Sequence, residues 1–147
     1  MKFTIQKNEI ANCIHNAAAI AERRQTIPIL ANLKIKAESR ILEIISTDLE
    51  VQLKSRPKHA EIEEEGEVTV SARKMSELCR SLKDDEKLNF ALNDGKLHVS
   101  SANFNADFAT LSANDFPELE VKHEKDPVSL DSSLLKRLLT KTSFSMA

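Results

Sequence analysis

Apolar and polar residues alternate along this chain with two different periods, and the switch between them recurs three times. Period two reads as strands in ILANLKIKAES (29–39), RILEIISTDLE (40–50), VQLKSRPKHAEIE (51–63), EKLNFALND (86–94), GKLHVSSAN (95–103) and NFNADFATL (103–111). Helical spacing takes over in three segments that resemble one another. FTIQKNEIANCI (3–14) is similar to VTVSARKMSELC (68–79), and that to VSLDSSLLKRLL (128–139). Each begins with a strand end of the form apolar–hydroxyl–apolar. A candidate helix cap follows, Gln6, Ser71 or Asp131, of which the last two are good caps and Gln6 a poor one. Ile10, Met75 and Leu135 then occupy equivalent places on the helices, at offsets of 65 and 60 residues. Repetition at fixed spacing argues for a structural repeat.

Each unit thus reads as a strand, a helix and several hairpin-linked antiparallel strands. That pattern predicts an α+β fold of repeated strand–helix–antiparallel-strands units, with the helices on one face of the sheet. Residues 1–120 are expected to form one domain of two units, about 1–66 and 67–120. Residues 121–147 are expected to hold a connection and the cut-short start of a second domain.

The faces of the helices carry different chemistry. In the second helix Met75, Leu78, Cys79 and Leu82 share the i, i+3, i+4, i+7 face that packs on a sheet. Arg73, Glu77 and Arg80 centre on the opposite face, and with Lys74 and Lys83 they concentrate positive charge in Val70–Glu86. In the first helix Ile10, Cys13, Ile14 and Ala17 point inward. Asn8, Asn12, His15, Asn16, Ala19 and Arg23 line the outside, where neutral hydrogen-bonding side chains suit phosphate oxygens. The net charge of −2 hides this partition, because the acids gather in the strands and turns. A plain solvated surface and a nucleic-acid-binding face both fit the pattern. Two similar units side by side would make the charge a continuous strip.

Composition narrows the choices. With 147 residues, 41% hydrophobic and 30% charged, the chain can bury a core. It has six Phe but no Trp or Tyr, which argues against aromatic platforms for stacked bases. No run approaches the roughly 20 apolar residues of a membrane span, and a cytoplasmic location is expected. Cys13 and Cys79 read as small buried hydrophobes, and the four His show no metal-ligand spacing, so no metal or cofactor is expected. NDGK (93–96) reads as a tight hairpin. EIEEEGE (61–67) reads as solvated acid. An enzyme of the same fold class would have to rely on Asp48 and Glu50 in TDLE, where a turn-capping Asp is the simpler account.

Read together, MKFTI at the start, RQTIPILANL (24–33), STDLE (46–50), VSARK (70–74), LCR (78–80), the T-L-x-x-x-D-F-P pattern (110–117) and FSMA (144–147) resemble the bacterial sliding clamps, the beta subunits of DNA polymerase III. The resemblance runs from end to end. It implies the DNA-clamp fold, and a non-catalytic processivity factor whose three-domain protomers pair head to tail into a homodimeric ring around duplex DNA. Replicative polymerase and clamp loader would be its protein partners. The resemblance aligns Arg24 and Arg73 with the family's DNA-contacting arginines; geometry adds Arg23, Lys74, Arg80 and Lys83. It also makes NFNADFATL the edge meeting the partner protomer, with Ala106 and Phe108 at apolar contact positions and Phe104 on the same face. An ordinary core-facing strand is the competing reading of Ala106 and Phe108. The strand from Phe104 to Thr110 is expected to have an unpaired edge, and the segment from Asp131 onward to be disordered or docked on another surface.

Overall fold

The computed structural model describes residues 1–21, 27–119 and 129–145. Strand β1 (Lys2–Gln6) runs into helix α1 (Lys7–Ile20), and strands β2 (Asn32–Glu38), β3 (Ile41–Thr47), β4 (Gln52–Ser55) and β5 (Glu61–Glu64) follow. The order then recurs: β6 (Gly66–Ser71), α2 (Ala72–Ser81), β7 (Lys87–Asn93), β8 (Lys96–Ser100) and β9 (Asn105–Leu111). The expected strand–helix–strands repeat is present, and the fold is α+β.

All nine strands join one sheet in the order β4-β3-β2-β6-β9-β8-β7-β1-β5, each neighbour antiparallel. Each leading strand bridges the two repeats: β1 keeps β5 of its own unit on one side, and β6 keeps β9. β1 pairs with β7, placing Phe3 opposite Phe90, and β6 pairs with β2, placing Val70 opposite Leu33. The two repeats are therefore stitched together by shared strands. Ile10, Ile14 and Ala17 of α1 and Met75, Leu78 and Cys79 of α2 enter one core, against Ile35, Ile44, Val68, Phe90 and Val99 of the sheet. Both helices thus cover the same face, as expected.

The caps follow the sequence. Gln6, Ser71 and Asp131 occupy the three N-cap positions. Ser71 Oγ accepts from Lys74 N at 3.4 Å and Asp131 Oδ1 from Leu134 N at 2.9 Å, whereas Gln6 makes no side-chain cap. Gln6→Ser is expected to add the missing bond and raise stability by about 0.5–1 kcal/mol, read as a higher urea midpoint. The NDGK hairpin forms with Asp94 at φ 47° and Gly95 at φ 71°, the left-handed pair that such a turn requires. Gly66 answers to crowding: a β-carbon there would stand 3.0 Å from Met1 Cβ.

Three expectations need correction. The run from Ile29 does not start as strand. Pro28 opens a 3-10 turn, Pro28–Ala31, whose Ile29 turns into a small second core with Ile45 and Phe116. The stretch 51–63 is two strands, because Pro57 offers no donor and His59 sits at φ 57°. β4 and β5 consequently lie at opposite ends of the sheet. Finally, α2 stops at Ser81 with Leu82 extended, so Lys83 stands in the turn beyond the helix.

The last described segment is helix α3 (Ser132–Thr142), followed by a 3-10 turn, Ser143–Ser145. It is helical, and none of its residues is buried. Leu134, Leu135, Leu138 and Leu139 are exposed along it.

Candidate nucleic-acid interface

The sheet places α1 and α2 in contact, and between them lies an open groove of about 500 Å³ lined by His15, Ala18 and Ala19 on one side and Arg73, Ser76, Glu77 and Arg80 on the other. The packing dictates the outward faces. With Ile10, Ile14 and Ala17 buried, helical geometry turns Asn8, Asn12, His15, Asn16 and Ala19 to the exterior, and all five are exposed. With Met75, Leu78 and Cys79 buried, Arg73, Lys74, Glu77 and Arg80 are exposed. Lys83 is exposed just beyond the helix end. Arg23 and Arg24 lie outside the described residues.

Within the strip, Arg73 Nε donates to Glu77 Oε1 at 2.8 Å, and this hydrogen bond and charge raise the guanidinium's pKa further. The start of α1 is tied to the turn after α2: Lys7 N donates to Glu86 O at 2.8 Å, and the nearly buried Lys7 Nζ reaches Asp84 Oδ1 at 2.5 Å. Lys7 was not legible as a structural residue, since its partner is 77 residues away. Glu61, Glu63, Glu64 and Glu65 of EIEEEGE are exposed, as read from the sequence, and two of them also pair with lysines. Glu61 pairs with Lys87 at 2.9 Å and Glu63 with Lys2 at 2.6 Å, stapling the β5 end of the sheet.

Phe104, Ala106 and Phe108 are half-buried and turn toward the core side of the sheet, with Phe104 and Phe108 packed on the core. β9 pairs with β8 along Asn105–Ala109 and with β6 only at Thr110 and Leu111. Its far edge is thus open over Asn105–Ala109 among the described residues, but closed at Thr110, where an open edge was expected. On the exposed side His98 Nδ1 and Asp107 Oδ1 stand 2.8 Å apart across β8 and β9.

One of the two carboxylates singled out for acid–base chemistry is engaged in the structure of its own turn. Asp48 Oδ1 accepts from Glu50 N at 3.0 Å and from Val51 N at 2.7 Å, which lowers its pKa and makes it the brace of its own turn. Cys79 is buried, and burial pushes its thiol up to about 11, away from thiolate chemistry. Burial also raises the pKa of Cys13. No group of His, Cys, Asp or Glu among the described residues could hold a metal ion. No described helix is long and apolar enough to cross a membrane.

Paired repeats with their helices on one face of an antiparallel sheet make this a protein of the DNA-clamp fold. The family model for the DNA polymerase III beta subunit, N-terminal domain, matches residues 1–120. The beta sliding clamp of Pseudomonas putida is 38% identical over 147 residues, all of this chain and 40% of that protein. A beta sliding clamp sequence from Vibrio harveyi is 39% identical over 145 residues, 99% of this chain and 100% of that sequence. The crystal structure of the DNA polymerase III subunit beta from Pseudomonas aeruginosa superposes with a TM-score of 0.93 at 37% identity, covering 100% of this chain and 40% of that one. The chain belongs to the beta sliding clamp family, the beta subunits of DNA polymerase III. It spans 40% of the length of the Pseudomonas putida relative.

Proposed function

We propose that this chain forms part of a sliding clamp, a non-catalytic processivity factor that encircles duplex DNA in the cytoplasm, slides on it without sequence preference and tethers the replicative polymerase. The observation that carries this is the strip itself: two helices side by side on one face, with Arg73, Lys74, Arg80 and Lys83 exposed along it, on a body of net charge −2. A clamp held by topology needs attraction without tight grip. Phosphate contacts supply it, because they ignore sequence and weaken as salt rises.

On this reading residues 1–120 are the first clamp domain, with units about 1–66 and 67–120, and 121–147 lead into the second. Arg24 and Arg73 contact phosphates, with Arg23, Lys74, Arg80 and Lys83 in support. The open edge of β9, carrying Phe104, Ala106 and Phe108, meets a partner protomer in a head-to-tail homodimeric ring; a clamp loader serves the whole protein.

The test is binding to fluorescent duplexes of several sequences across a salt series. Arg73→Ala with Arg80→Ala should weaken binding to all of them alike and flatten the salt slope by roughly two units. A preference for one sequence, or affinity indifferent to salt, would sink the reading.

A further inference from the structure

We infer that Glu77 is a built-in restraint on Arg73, so that the helix strip holds DNA more weakly than its cations alone would; this rests on the nucleic-acid reading above. Glu77 stands one helical turn after Arg73, and the two side chains meet at 2.8 Å in the middle of the exposed row that ends at Arg80. They are 86% and 56% exposed, so the pair lies in water on the outward face and supports no packing. Several other acids of this molecule join positions far apart in sequence, although Glu38 pairs locally with Lys36: Glu61 reaches Lys87, Glu63 reaches Lys2 and Glu118 reaches Lys34. The Glu77 pair joins two residues of one helix, with the cation first, the less stabilising order for an i, i+4 pair. Its structural benefit is small.

Its electrostatic effect is not small on a face with so few charges. The carboxylate occupies the Nε edge of the Arg73 guanidinium and cancels one unit of charge in the strip. A phosphate can still meet the free Nη1 and Nη2 end of Arg73, but it gains the Nε edge, and the undiminished charge, only by displacing Glu77. An exposed pair yields readily, so Arg73 can pass between Glu77 and successive phosphates. That exchange limits the grip without removing the attraction.

The experiment compares the chain with Glu77→Gln in duplex binding over a salt series. The variant should bind roughly twofold to fivefold tighter at low salt, with a slope steeper by up to about one unit, for every sequence alike. Its urea midpoint should equal the parent's. In an Arg73→Ala background the same substitution should give at most half that gain, because the acid acts through Arg73. No tightening, or an equal gain without Arg73, would overturn the inference while leaving the clamp reading intact. Absence of salt-dependent binding by the parent chain would overturn both.

Discussion

Phe3→Ala should lower the free energy of unfolding by about 3–5 kcal/mol, read as a large fall in the urea midpoint followed by circular dichroism. Phe3 is fully buried, and its ring stacks on Phe90 with centroids 4.6 Å apart and planes within 7°. The two are direct cross-strand partners, and Phe3 also lies opposite Ile62 of β5. The ring therefore fills the core where β1, contributed by the first repeat, is gripped by strands on both sides. Truncation costs the transfer of the ring and leaves a cavity that neighbours fixed by the sheet fill poorly. Phe3→Leu, which keeps most of the volume, should cost under about 1.5 kcal/mol. A loss below 1 kcal/mol for the alanine variant would mean that the shared strand is not what couples the two repeats.

What was legible in the sequence was local. The offsets between the three copies placed Gln6, Ser71 and Asp131 at helix caps because capping depends on a few consecutive residues. The inward faces of α1 and α2 follow from spacing alone, and so does the Asp94-Gly95 turn. The polar strip was legible for the same reason: it is what remains once the apolar face is assigned. Position 77 was read as one more charge on that face, since a side-chain pair is a matter of rotamers that periodicity does not encode.

What was not legible depends on chain segments meeting at long range. Period two persists through Val51–Glu63, and nothing local says that its two halves end at opposite edges of the sheet; Pro57 was the one available signal. The sharing of β1 and β6 between repeats was hidden, since a strand's pattern does not name its neighbour. So was the outer face of the sheet. Ile29 looked like strand, yet it pairs with Phe116, 87 positions later, in a core separate from the one under the helices. Lys34 alternates correctly for an exposed strand position and is nonetheless buried.

Lys34→Ala is expected to cost about 2 kcal/mol and to free residues 112–119 from the outer face of the sheet before the rest of the chain unfolds. The Lys34 side chain is 8% exposed, and its Nζ lies 3.0 Å from Glu67 Oε2 and 3.0 Å from Glu118 Oε1. Lys54 adds a second contact to Glu118 at 3.5 Å, and Leu119 N donates to Gln52 Oε1 at 2.8 Å. The carboxylates are about one-third exposed, which keeps the figure below that of a fully buried pair. Burial by itself would raise the pKa of Glu118, but the hydrogen bond and charge of Lys34, helped by Lys54, outweigh it and the net shift is downward. Its contribution is therefore complete above the ordinary value of 4.5 and fades as pH falls through the lower folded value. For Lys34 burial alone would lower the pKa; Glu118 and Glu67 reverse this and raise it, so its contribution is complete below 10.5 and is lost as pH climbs through the raised value. Between these limits the segment should be indifferent to pH. Hydrogen exchange at the Phe116 and Leu119 amides is the measurement. In the parent these amides should lose protection on acidification below about pH 4.5. In Lys34→Ala they should be less protected at pH 7, and acid should deprotect them little further, because Glu118 keeps its burial without its principal cation. Equal protection of parent and variant at neutral pH would show that Phe116 and Gln52 hold the segment without the ion pairs.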